Sequence, residues 1–297
     1  MRRKRWREFL LLVCLLLIGI FAYLFSLPPA ESAPLNNDLK VSAWMGVTWS
    51  MDVHPPAEIE QLADDLIRYG VDEIYVYVSY LKSGDFFNPT FDHAGEFITN
   101  LKQFAPDLHI LAWIGVPISI TQPDGTFIAN RLESPEIRRM IAEFSVLAVE
   151  ELGFDGIHLN AELIPDGDEA FLLTLETIHE ALPEGTFFST TAHALRLDKQ
   201  VTASPYPTIV HHVSPDYVRD IAEFVDQIAI MTYDSGLSFP RDYHDWMAYQ
   251  VEMSETALMD YPVELMIGLP TSEEWTPSHQ TQAETVQASV QGLRAGY

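Results

Sequence analysis

From Leu39 onward the chain alternates short β-prone runs with longer amphipathic runs. Strand-like segments fall at residues 41–49, 73–79, 108–115, 155–162, 186–192, 226–233 and 263–269. Helix-like segments follow them at 58–69, 96–104, 135–152, 168–182, 214–224, 242–259 and 280–294. The third helix carries a clear start signal, Ser134 as a cap followed by Pro135 at the first helical position. Repeated strand–helix units dictate parallel strands joined by right-handed crossovers. The pattern predicts an α/β fold of the TIM (β/α)8-barrel type in which the eighth strand is missing. The chain is then a fragment of a longer barrel or a barrel left open. A seven-stranded variant or a doubly wound sheet would give the same alternation. No internal repeat is evident beyond the alternation itself.

The N-terminus is of another kind. Residues 1–8 are a strongly basic flank, and no charged side chain occurs from Phe9 to Leu27. Such a run is long enough to span a bilayer, and the basic flank should stay in the cytoplasm. Residues 9–27 are expected to be an uncleaved transmembrane anchor. A signal cut after Ser32 is the competing reading. Residues 28–38 read as a linker, and 39–297 as one barrel domain lying outside the cytoplasm, or secreted if the signal is cut.

The formal net charge is −26. So acidic a surface repels phosphate backbones and argues against nucleic acid as a partner. The single cysteine, Cys14, lies in the apolar run, so the barrel holds neither a disulfide nor a thiolate metal site. His211-His212 would point apart on a strand and has no zinc-type partner spacing, so no metal and no cofactor are expected.

One stretch concentrates the polar chemistry, Gly153-Phe154-Asp155-Gly156-Ile157-His158-Leu159-Asn160-Ala161-Glu162. Alternate strand residues share a face, so Ile157, Leu159 and Ala161 point one way and His158, Asn160 and Glu162 the other. A polar face ending in a carboxylate suits the inside of a parallel barrel, whose C-terminal rim carries active sites. Aromatic residues cluster at strand ends: Trp44, Trp49, Tyr77, Tyr80, Trp113 and Trp275. Such rings offer apolar faces to sugars, although core packing accounts for any one of them equally well.

Asp155 to Glu162 resembles the Asp-Gly-x-Asp-x-Asp-x-Glu signature of family 18 glycoside hydrolases, the chitinases and endo-β-N-acetylglucosaminidases. The first Asp, the Gly and the final Glu are kept, and His158 and Asn160 replace aspartates. Met231-Thr232-Tyr233-Asp234 resembles the Met-x-Tyr-Asp motif that closes the sixth strand of that family. The third strand, with Leu111-Ala112-Trp113-Ile114-Gly115, lacks the family's Ser-x-Gly-Gly motif. Asn160-Ala161-Glu162 is also similar to the Asn-x-Glu pair of family 85 endo-β-N-acetylglucosaminidases.

The resemblance implies substrate-assisted, retaining hydrolysis of N-acetylglucosamine-containing glycans. Glu162 would act as acid and then base. Asn160 would hold the acetamido N–H, and Tyr233 would donate to the acetamido oxygen. Asp234, His158, Trp44 and Trp113 would bind sugar. An acid catalyst needs a raised pKa, which a protonated His158 would oppose, so His158 is expected to be neutral. Two alternatives stay open: a glycan-binding barrel without catalysis, and a glycosidase for non-acetylated sugars using Asp234 as the second carboxylate.

Overall fold

The computed structural model describes residues 2–28, 39–88, 93–121, 125–196 and 212–297. Helix α1 (Arg2–Phe25) comes first. Within it, Glu8–Phe25 has a mean hydropathy of 2.6 and is long and apolar enough to cross a membrane. Most of the linker, residues 29–38, and His211 lie outside the described residues.

The barrel domain begins with β1 (Ser42–Trp44), α2 (Thr48–Met51), α3 (Pro56–Arg68), β2 (Glu73–Tyr80), α4 (Ala94–Phe104) and β3 (His109–Pro117). A small hairpin of β4 (Ile120–Thr121) and β5 (Phe127–Ile128) precedes α5 (Pro135–Glu150). The chain continues through β6 (Gly156–Glu162), α6 (Glu169–Ala181), β7 (Phe187–His193), α7 (Pro215–Ala222), β8 (Gln227–Met231), α8 (Pro240–Leu258), β9 (Glu264–Gly268) and α9 (Val286–Gly296). The seven main strands form one sheet in the order β1-β2-β3-β6-β7-β8-β9, and every pairing is parallel. Sequential order means single winding, which rules out the doubly wound alternative.

Local chemistry sets the helix starts. Ser134, Asp168, Ser214 and Thr285 each accept the backbone N–H three residues on, capping α5, α6, α7 and α9. Two boundaries differ from the sequence reading by five residues or more. The first strand stops at Trp44 rather than 49, because the chain turns into α2, where Trp49 stacks on His54 with ring centroids 4.4 Å apart. The last helix starts at Val286 rather than 280, because Thr285 caps it.

A repeat that the sequence reading did not find fixes the register. Asp72, Asp155 and Asp226 each precede a strand and sit in Asp-x-Ile. Each carboxylate accepts a backbone N–H from the start of the preceding strand of the sheet, Val41, Ile110 and Phe188 respectively, at 2.8 Å in all three cases. Asp155 also holds Lys102 of α4, at 2.7 and 2.5 Å. Gly156 follows because a Cβ there would lie 2.1 Å from the Phe187 carbonyl oxygen.

Inside the curled sheet, the bottom layer is polar. Glu73 is fully buried. It accepts from Ser42 Oγ at 3.0 Å, Gln227 Nε2 at 2.9 Å and His109 Nδ1 at 2.7 Å, and faces Lys40 Nζ at 3.2 Å. Burial works to raise its pKa, but these donors and the Lys40 charge prevail and hold it at about 2. The outer faces of the strands, including Ile157, Leu159, Ile228 and Ile230, are buried under the helices. Strands β1 and β9 are the two edges of the sheet. An apolar groove of about 1060 Å³ lies between them, lined by Val41, Ala43, Leu265, Ile267, Val290 and Leu293 among others.

Removing one member of a buried charged cluster leaves the others uncompensated. Glu73→Ala should cost about 3 kcal/mol, read by denaturant unfolding at neutral pH. A loss below about 1 kcal/mol would show that the cluster is not a keystone of the fold. Because the folded pKa is depressed, Glu73 contributes fully above about pH 4.5 and loses its contribution as pH falls toward 2.

Candidate active site

The mouth of the barrel is built from the C-terminal ends of β6, β7 and β8. Gly156, His158, Asn160 and Glu162 share the inward face of β6, and Glu162 ends it in solvent. Its register partner is Pro117, the last residue of β3. Tyr233 and Asp234 lie just beyond β8, Tyr233 mostly buried and Asp234 exposed. Burial raises the Tyr233 pKa first, and the charges of Glu162 and Asp234 raise it further. The three groups therefore share one electrostatic neighbourhood at the mouth. A phenol held protonated in this way is a permanent hydrogen-bond donor at neutral pH.

Asn160 stands one layer deeper and is half-buried. Its Oδ1 accepts from Thr191 Oγ1 of β7 at 2.9 Å. An amide oxygen has two lone pairs, so a second donor can still be received. His193 carries the same inward face of β7 to the rim, a position the sequence reading did not single out.

His158 is no substrate contact, contrary to the expectation from sequence. It is wholly buried two layers below the rim. Trp44 Nε1 donates to its Nε2 at 3.2 Å, which leaves the proton on Nδ1, facing Ser189 Oγ at 2.8 Å. Ser189 Oγ and Tyr75 OH both donate to Gln227 Oε1, at 2.7 and 2.8 Å. Burial pulls the His158 pKa down to about 3, against the weaker opposing pull of Glu73. The ring is neutral, as expected. It stacks on Tyr75 with centroids 4.0 Å apart.

Trp44 also leaves the set of expected sugar contacts. Its indole N–H is committed to His158, its ring lies 4.9 Å from Tyr75, and it lines the lateral groove rather than the mouth. Trp113 is half-buried on the inner face, edge-on to Tyr77 with centroids 5.6 Å apart. Its Nε1 has no partner among the described residues. Tyr80 is covered by Lys82 Nζ, 3.4 Å from its ring centre. Trp275, 59% exposed, stands on the segment between β9 and α9 that touches the Asp234 loop, where Gly236 N–H donates to the Ser278 carbonyl at 2.6 Å.

The same segment supplies two residues that sequence reading passed over, His279 and Glu284. Among the described residues, Asp234, His279 and Glu284 form the group whose ligand atoms approach within 4.8 Å of one another. Both His279 nitrogens are engaged, Nδ1 with Glu284 Oε2 at 2.9 Å and Nε2 with the Ser272 carbonyl at 3.0 Å. The group is hydrogen-bonded within itself. In the sequence, Glu284 is one acidic residue before a capped helix among many, and nothing local marks it.

No family model and no curated protein matches this sequence. Solved structures match the fold. A chitinase of glycoside hydrolase family 18 from Cycas revoluta, in complex with (GlcNAc)3, superposes with a TM-score of 0.53 at 17% identity, over 77% of this chain and 68% of that one. The chitinase domain of the spore coat protein CotE from Clostridium difficile gives 0.51 at 17% identity, over 82% and 68%. A chitinase from Bacteroides thetaiotaomicron gives 0.50 at 12% identity, over 76% of this chain and 64% of that one, so the chain spans just under two thirds of its length.

The unfolded chain takes up a proton near pH 6.5 that native His158 refuses until about pH 3. Stability attributable to this residue therefore falls on acidification through that window, by about 1.4 kcal/mol per pH unit. In His158→Gln the melting temperature should decline less steeply between pH 6.5 and 4.5 than in the wild type. An unchanged slope would place the acid sensitivity elsewhere.

Proposed function

We propose that this chain, which has the barrel fold of the family 18 chitinases in divergent form, is an extracytoplasmic glycoside hydrolase acting on N-acetylglucosamine-containing glycans. The reading rests on Glu162 as the last inward residue of β6 and on Tyr233 and Asp234 just beyond β8, at the same end of one parallel sheet. The fold likeness to chitinases, one of them crystallised with (GlcNAc)3, supports the same class of substrate.

In this reading Glu162 gives its proton to the leaving glycosidic oxygen. The substrate's 2-acetamido oxygen attacks the anomeric carbon, closing an oxazoline ring. Water, deprotonated by Glu162, then opens that ring with net retention. Tyr233 remains protonated and donates to the acetamido oxygen. Asn160 Oδ1, already steadied by Thr191, receives the acetamido N–H on its second lone pair. Because Asn160 and His158 are both neutral, Glu162 is the one carboxylate on this face of β6 above the buried layer. Trp275 is an exposed platform on the rim. Helix α1 anchors the barrel to the membrane with the mouth outside the cytoplasm.

Glu162→Gln should lower kcat on a chromogenic chitobioside by about 10³-fold or more, and an oxazoline-mimicking thiazoline should inhibit the wild type. Unchanged turnover in the variant would remove Glu162 as the acid. Tight chitooligosaccharide binding with no product from the wild type would establish a binding barrel instead. Activity on plain glucosides without N-acetyl preference would favour the two-carboxylate reading.

Loss of the exposed indole in Trp275→Ala should raise KM by about three- to tenfold while leaving kcat within about twofold, since it touches sugar remote from the scissile bond. A wild-type KM would exclude Trp275 from the binding path.

A further inference from the structure

The loop that carries Tyr233 and Asp234 is held by a carboxylate from a distant part of the chain. Glu284, between β9 and α9, is buried. Its Oε2 accepts from the Asp234 backbone N–H at 2.8 Å and from His279 Nδ1 at 2.9 Å. Its Oε1 accepts from the Ser235 hydroxyl at 2.7 Å and the Gly236 N–H at 3.2 Å. Four donors thus converge on one carboxylate, and three of them belong to consecutive residues of one loop.

The loop needs such a hold. Asp234 has φ of +56°, in the left-handed region that a side chain other than glycine enters at a cost of about 1 kcal/mol. A backbone N–H aimed at a buried anion offsets that cost, because charge-assisted hydrogen bonds are the strong ones. The carboxylate in turn is not left alone. His279 Nδ1 lies 2.9 Å from Glu284 Oε2, and its Nε2 faces the Ser272 carbonyl at 3.0 Å, so the ring is fixed on both sides against the carboxyl group.

We propose that Glu284 is a positioning residue of the mouth, fixing the backbone of residues 234–236 so that the Tyr233 phenol and the Asp234 carboxylate stand beside Glu162. The proposal rests on the functional reading above. A misplacement of about 1 Å at a reacting group costs about 10²-fold in rate, so the hold matters to chemistry more than to affinity. Glutamine at 284 has one oxygen acceptor, and its NH2 group would face donors, so the two contacts made by one of the carboxylate oxygens would be lost, one or two of them to the loop.

The test uses the full chain in detergent or nanodiscs. Glu284→Gln should lower kcat on a chitobioside by about 10- to 100-fold with KM within about threefold, because the lost interactions belong to the transition state. Amide exchange at Asp234 should speed up by about tenfold or more, with the Gly236 amide still held by the Ser278 carbonyl and the amides of β2 and β3 unchanged, since only that hold is released. Ser235→Ala removes one donor and should give a smaller loss, about two- to fourfold in kcat. Should Glu284→Gln not fold, Ser235→Ala decides by the same two measurements. Wild-type kcat together with wild-type exchange at Asp234 would overturn the proposal. If the wild type and Glu162→Gln are equally inactive, the glycosidase reading fails, and the exchange rates alone decide whether Glu284 holds the loop.

Discussion

The structure depends on the register of its parallel strands, and three aspartates set that register. Asp72, Asp155 and Asp226 each stand at the foot of a strand and take an N–H from the foot of its neighbour. Side chains on a strand alternate between faces, so a slip of one residue would exchange inside for outside. Glu162 would then point under the helices and Ile157 into the barrel. The carboxylate at the foot of β6 therefore decides where the carboxylate at its mouth points, although the two occupy opposite ends of the strand.

Between those ends, charge is handled in two ways. At the bottom, Glu73 is buried among His109, Lys40, Gln227 and Ser42, and its ionised form is stabilised by donors on every side. At the top, Glu162 and Asp234 are exposed, and burial, with their charges, raises the pKa of Tyr233. The layer between carries no charge. His158 is neutral and relays hydrogen bonds from Trp44 through Ser189 to Gln227. This arrangement explains how a histidine can occupy a place where the signature that this strand resembles has an aspartate. Its polarity is consumed inside the barrel, by partners from β1, β7 and β8, and it contributes no charge to the mouth.

The β8–α8 loop shows the same economy from the other side. Its strained residue, Asp234, is tolerated because Glu284 collects the loop's N–H groups, and Glu284 is tolerated because His279 faces it. The lateral groove between β1 and β9 has no such polar organisation. Its apolar walls and two strand edges are what a singly wound sheet exposes when it curls without closing.

Much was legible in the sequence. The periodicity of hydrophobic residues located all seven parallel strands and the helices between them, because burial on one or both faces leaves a local trace in the chain. The polar face of β6 was also legible, since alternation along a strand is a property of consecutive residues, and the Tyr233-Asp234 pair was legible only through its resemblance to a family motif. The Asp-x-Ile repeat was present in the letters but had no meaning until the neighbouring strand was in place. What only the tertiary structure decided was which polar residues meet. It joined His158 to Trp44, left the Trp113 nitrogen without a partner among the described residues, and brought Glu284 to a loop fifty positions earlier. Hydrogen bonds between residues far apart in the chain depend on how the strands close around one another, and no local pattern records that.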